Sequence, residues 1–423
     1  MKARLVLLAI VILLFITVLF WTAAAPLGAI GPIYLRQFGL LFAAVGLVLI
    51  FLQFVFVSRI KIIEAGFGLD RMFRWHRFFG RTGLVFVSMH AIMIALYRFI
   101  VFGELFPNTF IWVGLIALFG FMITAALASL HKKIGIVYET WRSIHLVNYL
   151  LFPFVLIHVF YHTLPGSLLF YLYLVLTVLY AALIIYRLVR IIAIKSSPYE
   201  VAEVRQEAED IWSLFFRGNK LHFRPGQFMF IQLLRNGRLS SPHPFTISNS
   251  PTREYLSITP KELGDFTATI KETKLGDLAY IDAPYGVFSF LNYDYKELVF
   301  IAGGIGITPF LSMLRYIYDL KLDLKVTLFW TNRSEGSLCF QTELEQIQKE
   351  LPGMKTFIVM TNQPDWPGKK GRLNAEMIRD HLGTLDHKGF FVCGPLEMNR
   401  AIIAGLKQMG VSPSKIHSEL FIL

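Results

Sequence analysis

The chain has 423 residues, of which 55% are hydrophobic, 15% aromatic and only 17% charged, with a mean hydropathy of +0.55. This profile excludes an ordinary soluble protein and a disordered one. The formal net charge of +12 reads as membrane topology and contact with anionic head groups, and no nucleic-acid partner is expected. Apolar residues concentrate before about residue 195, beyond which Gly, Pro and charged residues return at the density of a soluble domain.

The first half holds six segments that approach the roughly 20 residues needed to span about 30 Å of hydrocarbon. They are expected near Leu5–Thr22, Phe38–Val57, Phe73–Tyr97, Phe110–Leu130, Trp141–Tyr161 and Leu168–Leu188. Lys2, Arg4, Arg59, Lys61, Arg71, Arg74, Arg77, Lys132, Lys133, Arg142, Arg187, Arg190 and Lys195 fall on one set of flanks, while Arg36 and Arg98 stand nearly alone on the other. That asymmetry predicts both termini in the cytoplasm. Met1–Ala25 has a basic start, an apolar run and an Ala23-Ala24-Ala25 end, so a retained first helix and a cleaved signal are both open, the long apolar run favouring the helix. Cys339 and Cys393 lie in the second half at no paired spacing, which implies neither a disulfide nor a cysteine metal site.

The stretch "WRSIHLVNYLLFPFVLIHVFYH", residues 141–162, carries His145, His158 and His162 in surroundings where an unsatisfied polar group costs several kcal/mol. The third span adds His76 and His90. Both spans are odd-numbered and run the same way. His76 and His145 therefore sit near the cytoplasmic face, and His90 and His158 toward the other. At about 1.5 Å per residue the third-span pair is separated by about 21 Å and the fifth-span pair by about 19.5 Å. Paired neutral imidazoles at two matched depths suit iron porphyrin, so His76, His90, His145 and His158 are the candidate haem-iron ligands. Interhelical hydrogen bonding is the ordinary role of a single membrane histidine; a proton relay would bring Asp or Glu into the spans, and none is there. The helical phase fits less well. His76 and His90 share a face, whereas His145 and His158 lie roughly 140° apart on an ideal helix. Pro153 between them offers a kink that would repair the angle. His162 is the substitute outer ligand, at a poorer depth match.

Alternation in "HFRPGQFMFIQLL" reads as strands of an antiparallel barrel. "SPHPFTIS", "ITPKELGDFTATI" and "DAPYGVFSF" follow. The pattern then changes to "ELVFIAGGIGITPFLSMLRYI": an apolar strand, a turn at Gly303, Gly304 and Gly306, and a helix begun by Thr308 and Pro309. Glycines let a backbone approach a pyrophosphate, and a helix N-terminus favours its charge. Further strand and helix alternation through "KVTLFWTN", "KTFIVMTN" and "GFFVCGP" predicts a parallel sheet with nucleotide at the strands' carboxyl ends. The fold class expected is a multi-domain membrane protein: a six-helix transmembrane bundle over residues 1–195, an antiparallel β-barrel FAD domain over 196–292, and an α/β parallel-sheet nucleotide-binding domain over 293–423.

The order His-Pro-Phe-Thr-Ile-Ser, Gly-Asp-Phe-Thr, Gly-Gly-Ile-Gly-Ile-Thr-Pro-Phe, Val-Cys-Gly-Pro and a terminal "SELFIL" resembles the ferredoxin–NADP reductase type dehydrogenase. Joined to a four-histidine membrane domain, it resembles the NADPH oxidase and ferric reductase superfamily. The resemblance implies FAD, two b-type haems, and NADPH or NADH as donor. His243, Pro244, Phe245, Thr246 and Ser248 would hold the flavin, and Lys261, Gly264, Phe266 and Thr267 the FAD pyrophosphate. Gly303, Gly304, Gly306, Thr308 and Pro309 would take the nucleotide's phosphates, Arg333 a 2′-phosphate, and Cys393, Gly394 and Pro395 would border the nicotinamide. Phe421 resembles the terminal aromatic that covers the flavin. Ala283 departs from the family, which more usually has Gly there.

Arg36 and Arg98 have two readings, pairing with outer-haem propionates or a forming superoxide, and simple interfacial anchoring. Arg74, Arg77, Arg81 and Arg142 also have two readings, contact with inner-haem propionates and positive-inside topology, and topology alone explains most of them. The expected function is electron transfer from cytosolic NAD(P)H through FAD and two haems to an extracytoplasmic acceptor. That acceptor is O2, giving superoxide, or a ferric chelate; a cytochrome subunit passing electrons to a partner protein is the reading from another class. No obligatory protein partner is expected, and the location implied is the lipid bilayer of a bacterial inner membrane.

Overall fold

The computed structural model describes residues 2–24, 31–105, 108–131 and 133–419; Phe421 lies outside them. The chain divides into two compact units, residues 1–191 and 192–423.

The first unit is helical: α1 Lys2–Ala24, α2 Ile33–Val57, α3 Lys61–Phe67, α4 Leu69–Phe102, α5 Thr109–Leu130, α6 Tyr138–His145, α7 Asn148–His162 and α8 Leu168–Lys195. Among the described residues five stretches are long and apolar enough to cross a membrane: α2, α4, α5, Tyr138–His162 taken together, and α8. The expectation of six spans is corrected to five. The remaining expected span, Leu5–Thr22, falls on α1, part of whose side chains lie outside the described residues.

Helices α2 and α4 approach closely because glycines line their seam. A Cβ at Gly46 would sit 2.8 Å from the Val87 side chain, and one at Gly39 3.0 Å from Ile94.

The fifth span is broken, and not at Pro153. Helix α6 ends at His145, Leu146 and Val147 form a turn, and α7 restarts at Asn148. Leu146 and Val147 keep right-handed helical dihedrals, but the backbone tightens to i→i−3 hydrogen bonds there, as from Val147 N–H to Ile144 O at 3.1 Å, which shifts the helical phase between His145 and His158. Pro153 instead sits inside α7. Its missing N–H frees the carbonyl of Tyr149, and the Tyr180 hydroxyl of α8 donates to that oxygen at 2.7 Å. The Tyr180 ring also packs on Phe54 (centroids 5.2 Å) and Phe152 (4.7 Å), so one side chain closes both the polar gap and the apolar core.

The second unit begins with β1 Tyr199–Ala208, β2 Ile211–Arg217, β3 Phe228–Arg235, β4 Arg238–Leu239, β5 His243–Thr246, β6 Leu256–Ile258, a one-turn helix α9 Asp265–Ala268, and β7 Leu278–Tyr285. The strands form a 7-stranded antiparallel sheet in the order β4-β3-β7-β1-β2-β6, with β5 on β3. The expected barrel is therefore corrected to an open sheet. Beyond Thr246 the chain leaves strand geometry, and the Ser248 N–H donates to Ser257 O of β6 at 2.8 Å without building a ladder across the seam.

The unit continues through β8 Glu297–Gly303, α10 Thr308–Asp319, β9 Lys325–Asn332, α11 Gln341–Glu350, β10 Met354–Met360, β11 Lys369–Lys370, α12 Ala375–Leu382, β12 Lys388–Cys393, α13 Leu396–Gln408 and β13 Ile416–Glu419. These strands form a parallel sheet in the order β11-β10-β9-β8-β12-β13. The chain moves outward from β8 on one side and then returns to build β12 and β13 on the other. The switch between β8 and β12 opens a crevice at their carboxyl ends, where such sheets bind ligands. Phe300, Phe310, Trp330 and Phe391 are fully buried beneath it.

Candidate functional site

Two imidazole pairs face each other in the membrane unit. The ring centroids of His76 and His145 are 6.1 Å apart at 78°, and those of His90 and His158 are 6.3 Å apart at 74°. With a metal–nitrogen bond of about 2.0 Å an imidazole centroid lies about 3.2 Å from the metal, so two imidazoles on opposite sides of one ion stand about 6.3 Å apart. Both pairs have this spacing.

The outer pair is oriented by backbone. His90 Nδ1 donates to Gly39 O at 2.9 Å, and His158 Nδ1 donates to Phe110 O at 2.7 Å. A carbonyl can only accept, so both rings carry their proton on Nδ1 and present Nε2 as a lone pair, the usual second-shell arrangement of a metal-binding histidine. Around the inner pair His145 Nδ1 lies 3.5 Å from Asn148 Nδ2, and His76 Nδ1 is buried without a hydrogen-bond partner. His162 is exposed and its ring lies 4.8 Å from His158 rather than opposite His90.

These residues fit iron porphyrin. Among the described residues no three His, Cys, Asp or Glu side chains converge, so a bare ion would lack ligands, whereas a macrocycle brings four of its own. All four residues are half-buried.

Residues expected around the outer site are arranged less tightly. Arg36 is exposed on α2. The Arg98 guanidinium stands 5.3 Å over the Phe102 ring, with its Nε buried and unpartnered. At the other end of α4, beside the inner-pair His76, Arg74 pairs with Asp70 at 3.0 Å on the surface.

In the second unit the flavin candidates lie on β5 and the α9 turn. His243 stacks on Phe266 with centroids 4.0 Å apart at 15°. Pro244 and Phe245 pair with Phe230 and Met229 of β3. Thr246 is 4% exposed, and its hydroxyl is buried without a partner, an orphan that a bound flavin would satisfy. Gly264 faces open space. Thr267 turns its hydroxyl inward, accepting from Gly264 N–H at 3.0 Å, and Lys261 pairs with Asp210 at 3.1 Å. Ser248 is fully buried, and its hydroxyl bonds Ser257 (2.8 Å) and Thr259 (3.0 Å).

The glycine turn and the Cys393-Gly394-Pro395 segment come together at the carboxyl ends of β8 and β12. A Cβ at Gly306 would lie 2.4 Å from Cys393 O, and one at Gly394 3.0 Å from Gly303 Cα. Gly303, Gly306 and Gly394 thus allow two backbone segments to touch, while Gly304, at φ +53 with nothing within 4 Å, opens toward solvent. Thr308 and Pro309 are buried at the start of α10. Arg333 is exposed just beyond β9. Burial, with Glu419 beside it, pushes the Cys393 thiol well above its ordinary range, and burial pushes Cys339 up to about 12. Both cysteines are free, and Cys393 ends β12 at the border of the crevice.

Three features escape the sequence motifs. Trp330 Nε1 donates to Gly304 O at 2.9 Å and pins the glycine turn. Thr331 Oγ1 and both amide atoms of Asn332 are buried without partners at the end of β9, where Thr331 is the register partner of Gly303; unsatisfied polar atoms at a sheet's carboxyl edge fit a nucleotide. Gly114 of α5 makes room for the His158 ring. The run "FWTN" carried the signal for the first two, an apolar strand ending in polar residues.

Residues 42–157 match the family described as ferric reductase like transmembrane component, residues 196–289 an FAD-binding domain, and residues 300–403 an oxidoreductase NAD-binding domain. The chain is 28% identical to the glycine betaine monooxygenase reductase subunit of Chromohalobacter salexigens, over 52% of this chain and 62% of that protein. It is 25% identical to the flavohemoprotein of Oceanobacillus iheyensis, over 53% of this chain and 58% of that protein. The chain thus spans less than two thirds of the length of either relative. A solved structure of flavohemoglobin from Malassezia yamatoensis shares the fold at 20% identity, covering 90% of this chain and 96% of that one with a TM-score of 0.50. A ferric-reductase-like transmembrane domain followed by FAD-binding and NAD-binding domains makes this chain an integral membrane oxidoreductase of the NADPH oxidase and ferric reductase superfamily.

Proposed function

We propose that the chain carries electrons from cytosolic NAD(P)H through FAD and two b-type haems to an acceptor on the far side of a bacterial inner membrane, reducing O2 to superoxide. The observation that carries this reading is the repeated imidazole spacing, 6.1 Å for His76 with His145 and 6.3 Å for His90 with His158. Flavin supplies the conversion from a two-electron hydride donor to one-electron carriers, and bis-imidazole iron porphyrin supplies those carriers.

The chain's own part is to hold and orient. Gly39 O and Phe110 O fix the proton on Nδ1 of His90 and His158, which turns each Nε2 toward its partner. An iron porphyrin held by His76 and His145, or by His90 and His158, would keep no open coordination position, and the acceptor would then be reduced without binding the metal. His243, Phe266 and the orphaned Thr246 hydroxyl support a flavin on β5. The Gly303 to Gly306 turn, with Thr331 and Asn332, supports the nucleotide. Phe421 remains the proposed cover of the flavin, and both termini are proposed to be cytoplasmic.

The second reading is ferric-chelate reduction, favoured by the family description matched by residues 42–157. Purified chain with NADPH separates the two. Cytochrome c reduction abolished by superoxide dismutase supports the oxidase. Chelate reduction that proceeds without oxygen and outpaces it supports the reductase. Failure to oxidise NADPH unaided would favour a cytochrome component that needs a partner.

A further inference from the structure

Helix α10 begins at the glycine turn, but its flank is bonded to the segment that leaves β5. Ser312 Oγ donates to Asn249 O at 2.6 Å, and Arg315 Nη1 donates to Ser248 O at 2.8 Å. Further along, Arg253 forms a two-pronged ion pair with Asp319, 3.1 Å in each arm, and the Thr252 hydroxyl donates to the same carboxylate. Ser248 is two residues past Thr246. The helix facing the nucleotide is thereby tied to the strand that carries the flavin candidates.

Arg315 is the centre of this strap. Its side chain is 7% exposed. Nε and Nη2 donate to the two oxygens of Glu343 at 2.8 and 2.6 Å, and its guanidinium stands 5.2 Å over the Phe340 ring. Phe340 holds the left-handed conformation, φ 62, at the start of α11, a strained position for a non-glycine residue. Apolar residues often replace a buried ion pair with no loss of stability. A buried guanidinium with every edge committed and a strained neighbour beneath it is therefore poorly explained by stability alone.

We propose that Arg315 is a positioning residue for hydride transfer, locking β5 to α10 so that the flavin and the dihydronicotinamide meet at reacting distance. In that transfer a hydride, one proton with two electrons, leaves C4 of the dihydronicotinamide and bonds to N5 of the flavin. The products are the oxidised nucleotide and anionic reduced flavin, and Arg315 touches neither. Misplacement by about 1 Å costs up to about 10²-fold in rate. The inference rests on the nucleotide-to-flavin part of the proposed route and is independent of the haem pairs.

The test uses full-length Arg315→Lys and Arg315→Met chains in detergent, measuring FAD content, KM for NADPH, and anaerobic flavin reduction per bound FAD. The expected result for Arg315→Met is FAD content and KM within about twofold of the parent, with a rate per flavin about tenfold or more lower. Arg315→Lys should recover part of that rate. The isotope effect with C4-deuterated NADPH should rise as transfer becomes limiting. An unchanged rate per bound flavin, with lowered FAD content or lowered unfolding temperature, overturns the proposal and leaves Arg315 a structural residue. Should Arg315→Met fail to fold, Arg315→Lys and Ser312→Ala, which removes the bond to Asn249, carry the same readout. Absence of flavin reduction in the parent chain would instead overturn the route itself.

Discussion

A Cβ at Gly114 would lie 2.7 Å from Nδ1 of His158. Gly114 is one helical turn past Phe110, whose carbonyl receives the His158 Nδ1 proton, so the glycine clears the ring's path to its anchor. Gly114→Ala is expected to push the imidazole off Phe110 O and lower haem content from two per chain toward one. Gly120→Ala is the control: its Cβ meets only the tip of Leu151, 2.6 Å away, which can rotate. Full haem content in Gly114→Ala would show that His158 does not depend on this gap.

The carbonyl freed by Pro153 predicts a cost for losing its substitute donor. Tyr180→Phe keeps the ring among Phe54 and Phe152 but leaves Tyr149 O without the Tyr180 bond. The expected loss is about 1 kcal/mol, read as a lower unfolding temperature in detergent, with haem spectra unchanged. Equal stability of the two proteins would mean that the carbonyl finds another donor.

Arg333 predicts a preference between nucleotides. Exposed at the end of β9, it can meet a 2′-phosphate but has no such partner in NADH. Arg333→Ala should raise KM for NADPH about tenfold and leave KM for NADH nearly unchanged. A parallel rise for both would assign Arg333 to general binding.

The second unit should lose stability in acid by two routes. Burial lowers His417 to about 4, where its Nε2 meets the Tyr295 hydroxyl at 3.1 Å. An unfolded histidine near 6.5 takes up a proton that the folded one refuses, so stability falls as pH drops from about 6.5 toward 4. Burial would raise the carboxyls of Glu343 and Asp319, but pairing with Arg315 and Arg253 outweighs it and holds both below the usual range. Their contribution is present above the ordinary carboxyl range and is lost as pH falls through the lowered values. His417→Gln should flatten the upper part of the denaturation-midpoint profile and spare the lower part. Identical profiles for the two proteins would remove His417 from the account.

Much of the fold was legible because it is written in local periodicity. Long apolar runs marked the spans, and the switch from alternation to strand and helix repeats marked the two nucleotide domains. The histidine pairs could be read as depths, since depth follows directly from rise per residue. What was not legible depends on tertiary pairing. Nothing in Leu146-Val147 announces a helix break, while Pro153 does, yet the chain breaks at the former and repairs the latter through Tyr180. Ser248 lies in the flavin motif but points into a hydroxyl cluster supplied by β6. Sheet closure, the strap through Arg315 and the clearance at Gly114 each need residues distant in sequence to be placed first.

The most direct test of the central claim is haem stoichiometry per chain by pyridine haemochrome, joined to low-temperature electron paramagnetic resonance of the oxidised protein. Two b-type haems per chain, both low-spin with bis-imidazole signatures, are expected. His76→Ala or His145→Ala should remove one signal, and His90→Ala or His158→Ala the other. Absence of haem, a single haem per chain, or a high-spin signal with an open coordination position would contradict it.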